Sequence, residues 1–142
     1  MVARRKWVQG QPEEMMYSLF PGYVFLFSDA QMEAAALQQI EGVIRVLRYA
    51  DGSYALHQED ERIARWLLHY DGVIRTSKAI REGDRIHVVE GPMKDCGGTI
   101  VKANKQRQRA LVEFQFDRRV WSAWMDFSWV EVDEDGMRLF GG

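Results

Sequence analysis

Apolar positions along this chain recur at a period of two in some stretches and near 3.6 in others, and each change of period predicts an element. Val2 to Val8 is short, basic and β-capable, and Gln9-Gly10-Gln11-Pro12 behind it predicts a hairpin turn. Met15 to Phe27 is the strongest strand signal of the first half, interrupted at Pro21-Gly22. Beyond that kink Tyr23, Phe25 and Phe27 project to one face and Val24 and Leu26 to the other, with Phe25 and Phe27 expected in the core. Ser28-Asp29 offers an N-cap for a helix running to about Ile40, with Met32, Ala35, Ala36, Leu37 and Ile40 on its apolar side and Gly42 ending it. Val43 to Tyr49 reads as a strand and Ala50-Asp51-Gly52-Ser53 as a turn. Gln58-Glu59-Asp60-Glu61 starts a second helix, its acids favourable against the N-terminal dipole, and Ile63, Trp66 and Leu67 carry it to about Tyr70.

Residues 71–81 have weaker patterning and are expected to be a linker. Short alternating strands follow at Asp84–Glu90, Gly98–Asn104, Arg109–Phe116, Arg119–Met125 and Trp129–Val132. Five strands with turns every eight to twelve residues predict a small β-barrel. A Gly-Pro turn at Gly91-Pro92 and a Gly-Gly corner at Gly97-Gly98 supply backbone angles or close approach that side chains forbid, and Gly91 and Gly98 read as structural. The fold class is α+β, with a first domain over 1–70, a linker over 71–81, a barrel over 82–133 and a loose tail over 134–142.

Composition narrows the function. The chain has 142 residues, 46% of them hydrophobic and 28% charged, as a globular protein does. A net charge of −2 excludes a generic polyanion binder, so any nucleic-acid contact must come from a local patch. Cys96 is the single cysteine, which fits a reducing, cytoplasmic location, and no apolar run approaches a membrane span.

The local patch is Lys102-Ala103-Asn104-Lys105-Gln106-Arg107-Gln108-Arg109, with four cations and no acid. Lys102, Lys105, Arg107 and Arg109 are candidate phosphate contacts, extended by Lys94, Arg118 and Arg119 if the barrel gathers its loops. The bland alternative is a solvated hairpin face. Trp121, Trp124 and Trp129 suit base stacking, but a barrel this small needs large side chains inside and at least one is expected in the core. The basic segment Arg4-Arg5-Lys6 is either a frayed terminus or a DNA contact. His57, His69 and His87 are scattered, Cys96 sits at a loop corner as a filler, and no nucleophile or phosphate-loop motif is present. No enzymatic activity, metal or cofactor is expected.

Phe20-Pro21-Gly22-Tyr23-Val24-Phe25 resembles the signature of the N-terminal (NGN) domain of NusG-type transcription elongation factors. Gly91-Pro92-Met93-Lys94-Asp95-Cys96-Gly97-Gly98 is similar to their KOW motif, and Asp126-Phe127-Ser128-Trp129-Val130-Glu131 to the closing strand of the KOW barrel, an SH3-like fold. The resemblance implies that the first domain docks on the clamp helices of RNA polymerase, with Phe20 and Tyr23 as polymerase-facing aromatics. It implies a KOW domain that recruits a second partner. The basic hairpin most resembles the LoaP-type antiterminators, whose KOW domain engages a nucleic-acid hairpin, and this implies a nascent RNA or DNA element as partner. The alternative is an adapter whose barrel recruits another elongation or ribosomal protein.

Two departures from the family pattern carry expectations. The family's N-terminal domain opens with an aromatic-rich strand and a long helix that have no counterpart here, so an incomplete sheet is expected: either the chain is truncated, its start is misassigned, or a second copy or a partner supplies the missing cover. The family's Phe-Gly-Arg turn, which contacts a ribosomal protein and the termination factor Rho, falls on Asp117, Arg118 and Arg119. A carboxylate in place of the aromatic removes an apolar anchor and predicts a specialised paralogue.

Overall fold

The structure, a computed structural model, describes residues 1–27, 34–43, 55–132 and 138–140. Strand β1 (Val2–Val8) turns through Gln9 and Gly10 into β2 (Gln11–Tyr17), and the two form an antiparallel hairpin. A five-residue helix α1 (Ala34–Gln38) and a twelve-residue helix α2 (Gln58–His69) follow. The second half contains β3 (Ser77–Glu82), β4 (Arg85–Glu90), β5 (Thr99–Asn104), β6 (Arg109–Phe116), β7 (Arg119–Val132) and β8 (Arg138–Phe140). Their order is β4-β3-β7-β6-β5, with β8 on β7. The molecule is α+β, as the sequence predicts.

Helix α2 forms where its pattern predicts. Glu59, Asp60 and Glu61 occupy its first turn, and Ile63, Trp66 and Leu67, three and four residues apart, are its buried face. Its end is closed by Asp71 and Gly72 at positive φ, with the Gly72 amide donating to the Leu67 carbonyl at 2.8 Å. Trp66 is held by its indole N–H on the Pro92 carbonyl at 3.0 Å, which seats the helix on the 91–98 loop. In β6 the side chains of Ala110, Val112, Phe114 and Phe116 alternate inward, each at most 4% exposed.

Several expectations are corrected. The segment 71–81 contains Ile74 at 0% exposure and most of β3, because Ser77 and Ala79 point into the core and their backbone pairs with both β4 and β7. Residues on both sides of this segment share one apolar core, from Val2, Leu19 and Phe20 to Phe114 and Phe127. The strands expected at Arg119–Met125 and Trp129–Val132 are one continuous β7, which changes partner along its length: β6 as far as Asp126, then β3, then β8. It stays extended through Asp126-Phe127-Ser128 because Phe127 is fully buried and its amide donates to the Gln108 carbonyl at 3.0 Å.

The strand expected over Met15–Phe27 ends at Tyr17. Pro21 has no donor and Gly22 lies at φ +86°, so the chain turns there and 23–27 joins no sheet among the described residues. Phe25 is packed on the core as expected, whereas Phe27 is exposed. Gly42, at φ +92°, follows α1, whose expected start at Ser28-Asp29 lies outside the described residues. Val43 lies in no strand, and the rest of the strand and turn expected at 44–53 also fall outside them. Phe140, expected in a loose tail, belongs to β8.

Two motif glycines meet walls. A Cβ on Gly91, at φ +104°, would lie 2.8 Å from the Ser77 Cα. A Cβ on Gly98 would lie 2.7 Å from Val112 Cγ1 and 2.8 Å from both the Glu113 carbonyl oxygen and Phe114 Cε1. Both therefore serve packing, as the sequence suggests. Gly98→Ala is expected to lower stability by about 2–3 kcal/mol in urea unfolding, since the obstructing atoms belong to β6 itself.

Candidate nucleic-acid interface

The β5–β6 turn carries the cationic stretch. Asn104 closes it by accepting the Arg107 amide on Oδ1 at 2.9 Å, and Gln108 sits at φ +55°. Lys102 and Arg107 are exposed, and the Lys105 ammonium donates to the backbone carbonyl of Asp84 in the β3–β4 turn. The two turns therefore lie side by side. Arg85 is exposed at the start of β4, and Arg81 lays its guanidinium 4.4 Å from the Trp129 ring centroid. Glu82 and Asp84 sit among these cations.

Arg109 is elsewhere engaged. Its Nε donates to Asp126 Oδ1 at 3.0 Å, and its terminal nitrogen donates to the Arg5 carbonyl. Asp126, 2% exposed, also accepts the Arg5 amide at 2.7 Å and its Nε at 3.4 Å on Oδ2. A second Arg5 nitrogen donates to the Phe127 carbonyl at 3.2 Å. Arg109 thus neutralises a buried carboxylate and fastens β1 to β7. Arg5 is likewise neither frayed nor free.

The remaining cations are not gathered. Arg118 and Arg119 are exposed at the β6–β7 turn, where Asp117 and Arg118 both take positive φ as a tight hairpin requires. Eight residues of β6 hold that turn on the order of 25 Å from the β5–β6 turn. Lys94 is exposed on the 91–98 loop, beside α2 and the far half of β6. Of the cations singled out in the sequence, Lys102, Lys105 and Arg107 share the β5–β6 turn, with Arg81 and Arg85 on the neighbouring strands, while Lys94, Arg109, Arg118 and Arg119 lie apart from them.

Phe20 is 3% exposed and lies among Phe25, Phe114, Phe116 and Trp121, with ring centroids 4.7–6.1 Å away. Tyr23 is half-buried on Phe116 and Trp121, and its hydroxyl donates to Asp117 Oδ2 at 2.6 Å. The exposed large apolar residue of the signature segment is Val24, followed just beyond it by Leu26 and Phe27. Of the tryptophans, Trp121 and Trp129 pack on the core and Trp124 is half-exposed. Cys96 is half-buried and shares its thiol proton between the Met93 and Gly98 carbonyls, and burial pushes its pKa up. Among the described residues no group of three or more His, Cys, Asp or Glu is placed to hold a metal, and no helix is long and apolar enough to cross a membrane.

No family model matches the chain. It is 26% identical over 130 residues to the transcription termination/antitermination protein NusG of Thermus thermophilus, covering 85% of this chain and 71% of the relative. It is 26% identical over 129 residues to the NusG of Pasteurella multocida, covering 87% of this chain and 69% of that protein. Over most of its length the chain is similar to NusG proteins.

Sequence reasoning missed Arg85, Arg81 and the Asp126 clasp. A legible signal existed for the last: a carboxylate between Met125 and Phe127 in a strand must be paired if it is buried. Asp126→Ala strands Arg5 and Arg109 and frees β1, and is expected to cost about 3 kcal/mol in urea unfolding. Arg118→Ala, by contrast, is expected to change stability by less than about 0.5 kcal/mol.

Proposed function

We propose that this protein promotes processive transcription antitermination, binding RNA polymerase through the surface of its first part and a nucleic-acid element through the β5–β6 turn. The observation that carries this reading is the similarity to NusG over 85% of the chain. Beside Tyr23, Val24 at 94% exposure and Leu26 at 60% form an apolar strip with the character of a docking site. Phe20 supports that strip from beneath. The mechanism is tethering: one contact sits on polymerase, and the other raises the local concentration of the factor at a chosen operon.

The reading favours a specialised, LoaP-like paralogue. At the position of the family's aromatic anchor stands Asp117, and its carboxylate is engaged by the Tyr23 hydroxyl. A ribosomal-protein or Rho contact at that turn is correspondingly disfavoured.

Single-round transcription by a bacterial RNA polymerase across an intrinsic terminator tests the proposal. Readthrough is expected to rise with the protein and to fall back with Val24→Ser/Leu26→Ser, whose side chains are exposed. Phe20→Ala is the folding control: it is expected to cost about 3–5 kcal/mol of stability and so loses activity without identifying a contact. Unchanged readthrough with folded protein and a cognate leader present would favour the adapter reading.

A further inference from the structure

The hairpin formed by β1 and β2 leaves the body of the molecule beside the cationic turn. Arg5 is pinned to Asp126 and Arg109 through its amide, carbonyl and side chain, and Arg109 is the first residue of β6 after that turn. Trp7 stands two residues beyond Arg5 on the same face of the hairpin, about 7 Å further along. Its indole is 71% exposed and its cross-strand neighbour is Pro12. Lys6 is exposed next to it, opposite Glu13. An exposed indole thus stands two residues from a buried ionic clasp whose Arg109 adjoins the turn that carries Lys102, Lys105 and Arg107.

An aromatic face beside a run of cations is the arrangement that grips single-stranded nucleic acid: cations track the phosphates while the ring takes a base. A duplex keeps its bases stacked on one another and offers the indole nothing. We propose that Trp7 is a stacking platform for a base of single-stranded nucleic acid whose phosphates pass over Lys102 and Arg107. This rests on the reading of the β5–β6 turn as a nucleic-acid contact and adds the class of ligand, unpaired strand rather than duplex. The hairpin and the turn together form the site, although Val8 and Lys102 are 94 positions apart in the sequence.

Fluorescence anisotropy with the full chain tests it, using labelled oligouridylate and oligothymidylate of about 12 nucleotides and a duplex RNA. Trp7→Ala is expected to weaken binding of the preferred single strand about tenfold and to leave its salt slope and the duplex affinity unchanged. Trp7→Phe is expected to restore most of the loss. Lys102→Gln/Arg107→Gln is expected to lower the slope of log K against log salt by about 1.4. The tighter of the two single strands identifies the partner as RNA or DNA. If Trp7→Ala binds like the wild type while the double charge variant weakens, the turn binds phosphate without stacking and this proposal fails alone. Should the wild type show no salt-dependent binding, or the charge variant match it, the underlying reading fails with it. Equal loss for duplex and single strand would make Trp7 a general contact and also overturn the proposal.

Discussion

A carboxylate at 2% exposure between two arginines is the constraint on which the arrangement of this molecule depends. Left unpaired, Asp126 could not stay within the sheet, since an isolated buried charge is too costly to keep. Arg109 comes from the facing strand and Arg5 from a hairpin more than a hundred residues earlier, so satisfying one charge fixes three strands at once. The arginines are themselves partly exposed, which lowers the desolvation cost of the cationic side. Such a clasp specifies position more than it adds stability. The apolar contacts of Val2, Ala3 and Ile74 next to it, with the Ala3 amide on the Ile74 carbonyl at 2.9 Å, supply the burial.

The second organising element is aromatic. Phe20 belongs to the early signature segment, while Phe114, Phe116 and Trp121 belong to the late sheet, and their edges and faces meet at 4.7–6.0 Å. Rings in such tilted and edge-on contacts bury large area and resist sliding. The signature therefore has two jobs divided between neighbours. Phe20 anchors the segment, and the residues after Gly22 are what it offers outward. A substitution at Phe20 reports on packing first, whatever the surface binds.

How much of this was legible in the sequence depends on the range of the interactions involved. Strand β1, helix α2 and the alternation of β6 follow from local periodicity and were readable. The Gly-rich corners were readable as structure because their spacing between strands left no room for a side chain. The pairing of β3 was not, since Ser77-Lys78-Ala79 is weakly apolar and becomes a strand only because β7 and β4 flank it. Nor could charge count distinguish Arg109, inside the clasp, from Arg107 two residues away and in solvent. That difference comes from Asp126, and local sequence around the turn contains no sign of it. The spread of Arg118 and Arg119 away from the patch was partly readable: turns at opposite ends of one strand cannot share a surface.

The hydrogen bond from the Arg5 amide to Asp126 spans 121 positions of sequence. During synthesis β1 and β2 emerge long before the strand that receives them, so the hairpin must wait. A two-stranded hairpin alone is marginal in water, and contacts this distant close late. While it waits, its edges and the apolar surfaces of Met15, Met16 and Tyr17 are open to other chains. Arg4, Arg5, Lys6, Glu13 and Glu14 along the same two strands place charge beside those surfaces, as gatekeepers against premature pairing. Arg5, which later clasps the carboxylate, is thus one of the charges that border those apolar surfaces on the nascent hairpin.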